Sequence, residues 1–157
     1  MQKIKTILVL GALLGSAAAF ATQCTKETIE GTYTETQTGW YTNPVPPVTR
    51  VPYVAVGVYK FKASDGIVTV PSSLEVVDGG IAFEDDSPGT YTVSPVSGTN
   101  GTCKVLMVLW SKMLPVGYYH LTGVTSDNGN HISFTQTDVE GPEAGWTYLV
   151  EAARVSH

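Results

Sequence analysis

Residues 89–110 carry the feature that most constrains the fold, because they predict a long β-hairpin that contains a doubly apolar strand. The turn at 98–101, Gly-Thr-Asn-Gly, consists of residues that tolerate positive φ. A strand with two apolar faces is covered on both sides. The returning arm has this pattern, with Val105, Met107 and Leu109 on one face and Leu106, Val108 and Trp110 on the other.

The second apolar face of this strand needs a cover, because a barrel wall has only one inside. A loop, the N-terminal segment or another subunit would each bury it. Of these, we favour a second subunit and expect a homo-oligomer.

Residues 1–21 have the composition of a secretory signal peptide. Two lysines form the charged start, 7–14 form the apolar run, and 19–21 are a small-x-small cleavage site. The apolar run is too short to span a bilayer, and no later stretch approaches the required length. We therefore expect no membrane span, a single mature domain at 22–157, and a secreted or periplasmic location.

The mature chain is acidic. Removal of residues 1–21 takes away two lysines and leaves 7 basic against 14 acidic residues, a net charge of −7. This balance argues against nucleic acid and against anionic membrane surfaces as partners. The remaining 136 residues are enough for one domain with a core of its own.

Cys24 and Cys103 are the two cysteines of the chain, and both lie in the part expected to be exported. In an oxidising compartment they most simply pair with each other. A pair of reactive thiols is the alternative, but the two cysteines do not have a Cys-x-x-Cys spacing. We expect a disulfide that ties the N-terminus to the central hairpin.

Strand-forming residues and turn residues alternate through the rest of the mature chain, and no segment predicts a helix. Pro71 interrupts one strand and predicts an edge or a bulge there. About nine short strands indicate a closed antiparallel β-barrel of about eight strands, with a β-sandwich as the alternative. Closure is favoured because it removes exposed sheet edges. Outside the central hairpin, the predicted strands are 28–37, 51–63, 67–77, 81–83, 118–125, 131–137 and 146–155.

Several short motifs resemble those of a family of small exported bacterial proteins. They are the two cysteines, Gly-Thr-Tyr at 31–33, Gly-Thr-Tyr-Thr-Val at 89–93 and Ile-x-Phe-x-Gln-Thr-Asp at 132–138. The motifs are short, but the resemblance extends over most of the mature chain. The resemblance implies an eight-stranded barrel of the allene oxide cyclase or lipocalin-like kind. It implies no assigned reaction.

Aromatic residues recur on the faces predicted to line the barrel. The strand at 51–63 places small residues between aromatic ones on one face, which suits the inside of a narrow barrel. Two further aromatics lie on a Pro-rich loop at 38–50, where they form either a lid over a pocket or a seal on the core. The predicted ligand-binding residues are Trp40, Tyr41, Tyr53, Tyr59, Phe61, Tyr91, Phe134, Gln136 and Trp146.

The second hairpin, 118–137, supplies the candidate catalytic residues. A carboxylate beside an imidazole is what acid–base chemistry requires, and it is equally what a satisfied internal hydrogen-bond network looks like. A four-residue turn in place of the five-residue turn would shift the pairing by one and dissolve the arrangement. With a five-residue turn, one inward face carries Tyr118, His120, Gln136 and Asp138 above Ile132 and Phe134.

Three functions fit this sequence. The first is a barrel that binds a small apolar ligand in its lumen. The second is a cofactor-free cyclase or isomerase in which His120 or Asp138 moves a proton. The third is a structural or surface-interaction protein. An open, wholly apolar lumen would favour ligand binding. An empty lumen with a polar cluster at its mouth would favour the enzyme, and a filled lumen would favour the structural or surface-interaction protein.

Cofactor and metal chemistry are not expected. The chain contains no Gly-x-Ser-x-Gly nucleophile motif, no P-loop and no dinucleotide fingerprint. The predicted pairing separates His120 and His131 by roughly 17 Å, too far for one metal ion.

Overall fold

A computed structural model describes residues 24–43, 47, 49–77, 80–84, 87–110, 118–137 and 146–157. The predicted signal peptide at 1–21 lies outside the described residues. Within them, two short 3₁₀ segments, Lys26–Ile29 and Asp127–Gly129, are the only helical elements, and neither could cross a membrane. The strands are β1 (Gly31–Asn43), β2 (Thr49–Lys62), β3 (Ile67–Val77), β4 (Gly80–Glu84), β5 (Ser87–Pro95), β6 (Cys103–Trp110), β7 (Tyr118–Ser126), β8 (His131–Gln136) and β9 (Trp146–Ser156).

Antiparallel pairing closes the sheet into a barrel. The strand order is β2-β1-β9-β8-β7-β6-β5-β3-β4, and an additional β2–β3 pairing joins the two sides. Eight strands therefore form the closed wall, and β4 is an extra strand beside β3. The predicted eight-stranded barrel is confirmed, and the sandwich alternative is wrong, because β2 and β3 pair with each other instead of belonging to separate sheets.

A β-bulge next to Pro71 divides β3 into two parts that pair with different strands. The pairing with β2 shifts by one residue between Val58 and Lys60, where β3 carries one extra residue. Proline lacks the N–H that a regular ladder needs, so a bulge accommodates it. On one side of the bulge β3 pairs with β5, and on the other side it pairs with β4. The interruption predicted at Pro71 is confirmed.

One end of the barrel is closed by the chain itself. The 3₁₀ helix Lys26–Ile29 precedes β1 at this end, with Ile29 fully buried. The predicted Cys24–Cys103 disulfide is present, and it ties the segment before this helix to the start of β6. We call this the closed end. At the opposite end β1, β6 and β8 finish and β2, β7 and β9 begin.

Aromatic rings fill the lumen from the closed end to its middle. Phe61 packs edge-on against Tyr91 with ring centroids 5.0 Å apart, and against Tyr33 at 5.3 Å. Tyr59 continues the cluster, 6.0 Å from Phe61 and 6.4 Å from Phe134. All five side chains are between 0 and 3% exposed. Edge-to-face geometry is the favourable arrangement for such rings, so this half of the lumen is a packed core.

The Tyr33 hydroxyl joins three segments at the closed end. It donates a hydrogen bond of 2.5 Å to the carbonyl of Gly129, in the β7–β8 turn. It also accepts hydrogen bonds from Arg154 Nε and Nη2 at 2.9 and 2.6 Å, and Arg154 Nη2 donates to the carbonyl of Thr28 as well. Burial raises the pKa of the Tyr33 phenol above its usual value, and the Arg154 hydrogen bond opposes this shift.

Replacing Tyr33 by Phe should lower the free energy of unfolding by about 1–3 kcal/mol. The change leaves the Gly129 carbonyl and the Arg154 guanidinium without their buried partner. Tyr91→Phe is the matched control, because its hydroxyl makes only a 3.5 Å contact with the carbonyl of Lys26, and it should cost less than about 0.5 kcal/mol. Urea denaturation measures both. Equal losses would mean that the Tyr33 hydrogen bonds do not hold the closed end.

Candidate functional site

The β7–β8 hairpin has a four-residue turn. Ser126 pairs with His131, so residues 127–130 form the connection. Asp127 and Asn128 have φ values of 49° and 53°, which lets the turn close tightly, because such residues tolerate the left-handed region better than most. The five-residue turn expected from the sequence is therefore wrong, and each cross-strand pair shifts by one position.

This shift separates the predicted catalytic residues. Tyr118 and His120 lie on the outer face of β7, where Tyr118 is 50% exposed and His120 is half-buried. Gln136 lies on the inner face of β8 and pairs with Leu121. The prediction that these three side chains share an inward face is wrong. Asp138 lies outside the described residues.

His120 instead borders a groove on the outside of the barrel. The groove has a volume of about 400 Å³ and crosses β5, β6 and β7, where Thr92, Leu106 and Thr122 form part of its wall. The Tyr118 ring stands edge-on to the imidazole, with centroids 5.5 Å apart. A catalytic role for His120 or Tyr118 stays a prediction, and it would now concern the outer surface.

Trp40 and Tyr41 lie in a strand and not in a loop. β1 continues to Asn43 and pairs with β2 as far as Thr49, so the bounds predicted for the Pro-rich loop, 38–50, are wrong at both ends. The aromatic and threonine residues of this stretch are strand formers, and they extend the ladder up to the first proline of the connection. Trp40 is 44% exposed on the outer face, with the Arg50 guanidinium 4.9 Å from its ring centroid. The side chain of Tyr41 lies outside the described part of the structure.

The remaining predicted ligand-binding aromatics face the interior where they are described. Tyr53 joins the packed rings of Tyr59, Phe61, Tyr91 and Phe134 as a buried side chain. Their inward placement is confirmed, whereas contact with a ligand stays a prediction. Trp146 opens β9, and its side chain lies outside the described residues.

A buried group of polar side chains, not predicted from the sequence, occupies the middle of the lumen. Glu35 and Gln37 are 2% and 4% exposed, and Gln37 Nε2 donates a 2.8 Å hydrogen bond to Glu35 Oε2. Tyr53 donates to Gln37 Oε1 at 2.9 Å, and the Tyr59 hydroxyl lies 3.4 Å from Gln37 Nε2. With the neighbouring Ser73, 3% exposed, these residues form what we call the polar cluster.

Small residues on the neighbouring strands make room for the polar cluster. Glu35 pairs with Gly57 on β2 and with Ala152 on β9. A Cβ atom added to Gly57 would lie 2.6 Å from Glu35 Oε1 and 3.0 Å from the Cβ of Ser73. The carboxylate therefore occupies space over Gly57 that a larger residue would fill.

Ser73 adds a hydroxyl to the other side of this space. It pairs with Gly57 from β3, and its Oγ is buried with no hydrogen-bond partner among the described residues. A buried hydroxyl without a partner is costly to the fold, so it marks a place where a ligand or water would be held.

The strand alternation of β1 contains the signal that would have found this cluster. Tyr33, Glu35 and Gln37 occupy alternate positions, and alternate residues of a strand point to the same face. An inward Tyr33 therefore implies an inward Glu35. Glutamate is almost never fully buried unless it is paired, and this general expectation concealed the pattern.

The described part of the chain contains no group of three or more His, Cys, Asp or Glu side chains that could hold a metal ion. No family model, curated protein or solved structure matches this chain. The resemblance to allene oxide cyclase-like and lipocalin-like barrels therefore stays a prediction. The candidate site is the polar cluster.

Proposed function

We propose that the protein binds a small, largely apolar ligand inside its barrel, in the half of the lumen that begins at the polar cluster and extends to the end opposite the closed end. The observation that carries the proposal is the buried Glu35 carboxylate with its hydrogen-bonded neighbours Gln37 and Tyr53. Burying a carboxylate costs several kcal/mol, and a core built only for stability would use an apolar side chain there. Buried ionisable groups in a cavity are typical of functional sites.

The distribution of side chains supports this half of the lumen as the binding space. The closed half is occupied by packed aromatic rings, with centroids 5.0 to 6.4 Å apart. Towards the opposite end the inner faces carry Leu109, Leu121 and Val150, all at most 1% exposed. An apolar wall with a few convergent polar groups is the usual composition of a small-molecule site.

Export forms part of the proposal. A disulfide between Cys24 and Cys103 is typical of proteins that fold in an oxidising compartment, and residues 1–21 have the composition of a signal peptide. We therefore place the binding function in the periplasm or outside the cell. A homo-oligomer stays a prediction, supported by Leu106 and Trp110, which are 43% and 58% exposed on the outer face of β6.

Replacing Ala55 by Leu should weaken ligand binding at least about tenfold. Ala55 is 1% exposed and pairs with Gln37, so the added atoms enter the proposed binding space. Fluorescence titration with N-phenyl-1-naphthylamine, a neutral apolar probe, measures the affinity. Val56→Leu is the matched control, since Val56 is the next residue, lies on the outer face and is 47% exposed.

The control should bind the probe as the natural protein does, and both variants should keep the far-UV spectrum of a barrel. If Ala55→Leu folds and binds with unchanged affinity, the lumen is not the binding site. If the natural protein binds neither this probe nor any small molecule that co-purifies with it, the proposed function fails.

A cofactor-free cyclase or isomerase is the second candidate, favoured by the same carboxylate. Glu35 lies where an apolar substrate would be held away from water, and a positioned carboxylate accelerates proton transfer by about two to four orders of magnitude. Mass spectrometry separates the two candidates. A co-purifying molecule recovered unchanged after incubation supports binding, whereas its conversion to an isomer by the natural protein but not by Glu35→Gln supports catalysis.

A further inference from the structure

We propose that the polar cluster selects a ligand with a primary ammonium group attached to a compact apolar body. This inference rests on the proposed function and specifies its ligand class. It follows from the chemistry of the buried groups, the small residues that flank the Glu35 carboxylate, and the tyrosine hydroxyls beside it.

The polar cluster presents hydrogen-bond acceptors to the lumen. When it is ionised, the Glu35 carboxylate carries acceptor sites only, with about four lone-pair positions on its two oxygens. The Gln37 side chain is held in one orientation, because its amide nitrogen donates to Glu35 and its carbonyl oxygen accepts from Tyr53. The hydroxyl of Ser73 adds an oxygen that can accept or donate. A group with several N–H donors therefore fits this place better than a second acceptor.

Charge favours an ammonium over a neutral donor. Hydrogen bonds between an ammonium and a carboxylate are roughly twice as strong as those between neutral groups. In a site shielded from water, opposite charges also attract more strongly than at a surface. An anionic ligand would place a second negative charge beside Glu35, and repulsion would exclude it.

The neighbouring rings add to this preference. Tyr59 and Tyr53 border the Gln37 amide, and Tyr59 is held in place by edge-on contacts with Phe61 and Phe134. Both tyrosines present a hydroxyl oxygen at this place, and a hydroxyl oxygen can accept a hydrogen bond from an N–H donor.

The pairing around Glu35 limits the size of the polar group. One row of the sheet runs from Ala152 through Glu35 and Gly57 to Ser73, so the flanking side chains are small. Among cationic groups a compact ammonium needs the least room beside Glu35 and Ser73, and its apolar body would extend towards Leu121 and Val150. A large planar cation such as a guanidinium would need the space that Gln37 and Tyr53 occupy.

Three probes with similar apolar bodies test the inference by calorimetric titration of the disulfide-bonded mature protein. They are 2-phenylethylamine, 2-phenylethanol and 3-phenylpropionate, which are cationic, neutral and anionic at pH 7. We expect the amine to bind at least about tenfold more tightly than the alcohol, the usual worth of one charge-assisted hydrogen bond, and the acid to bind most weakly.

Glu35→Gln keeps the shape of the side chain and removes its charge. It should reduce amine affinity by about 10- to 100-fold and change alcohol affinity by less than about threefold. Glu151→Gln is the matched control: Glu151 is exposed on β9, next to the inward Val150 and Ala152, and bonds Ser133 on the outer face. It should leave all three affinities unchanged.

Equal affinity for the amine and the alcohol in the natural protein overturns the inference and leaves the proposed function standing, because ligands still bind. An unchanged amine preference in folded Glu35→Gln also overturns it. If the natural protein binds none of the three probes and does not bind N-phenyl-1-naphthylamine, both proposals are overturned. If Glu35→Gln does not fold, Ser73→Ala replaces it, with an expected loss of about threefold or more for the amine, and an unchanged affinity then counts against the inference.

Discussion

Replacing Cys24 and Cys103 by serine should lower the free energy of unfolding by about 4–5 kcal/mol. The two cysteines are 79 positions apart, so the disulfide closes a long loop in the unfolded chain. Without it the unfolded chain regains that conformational entropy. Urea denaturation at equilibrium, with both forms shown to unfold in one step, measures the difference.

Reduction of the natural protein serves as the control for this change. Dithiothreitol in excess should produce the same loss as the double serine variant, and it should have no effect on the variant itself. A loss below about 1 kcal/mol would mean that the reduced unfolded chain already holds these segments together, or that the bridge strains the native closed end.

Replacing Phe61 by Ala should lower the free energy of unfolding by about 3–5 kcal/mol, because the ring is removed from the centre of the packed cluster. Phe61 is 3% exposed, and its ring contacts those of Tyr33, Tyr59 and Tyr91. Thermal and urea denaturation measure the loss. Ile81→Ala removes a large apolar side chain that is 67% exposed on β4, and it should change the stability by about 0.5 kcal/mol at most.

The same variant tests whether this half of the lumen is filled. A cavity lined by aromatic rings stays dry and accepts a small apolar molecule, so benzene should restore part of the stability of Phe61→Ala and have little effect on the natural protein. If the natural protein is stabilised by benzene to the same extent, the closed half already contains space for a ligand.

The strands and their pairing at the closed end follow directly from the sequence. Tyr59 and Phe61 alternate with exposed lysines, and the turn at 98–101 and the interruption at Pro71 have local causes in glycine and proline chemistry. Each of these features depends on residues close together in the chain. The disulfide follows as well, because the chain offers Cys24 one partner only.

The register of the β7–β8 hairpin could not be obtained in the same way. Ser126 and Asn130 are both residue types that suit a turn or a strand end. In the structure Ser126 ends β7, whereas Asn130 belongs to the turn. The turn contains two adjacent residues with positive φ, Asp127 and Asn128, and the next residue, Gly129, lies against the backbone of Thr28, which is distant in sequence. The turn is one residue shorter than the sequence suggests, and this difference puts His120 on the outer surface instead of in the lumen.

The polar cluster was missed for a different reason. Its members come from β1, β2 and β3, and only the closed barrel brings Glu35, Tyr53 and Ser73 together. Alternation along β1 indicates that Glu35 faces inward, but the average behaviour of glutamate indicates the opposite. Residues whose environment is unusual for their type are expected at functional sites, so the burial of Glu35 is informative.

The pairing of β1 with β9 determines how late the fold can be completed. Tyr33 and Arg154 are 121 positions apart, so the barrel wall closes only after almost the whole domain is available to fold. Until then β1 and β8 each expose an unpaired edge that can recruit another chain. Contacts this distant in sequence form slowly. Chaperone demand and aggregation during folding should therefore depend on the time that β9 takes to reach β1, and a variant with slower closure would lose yield without losing equilibrium stability.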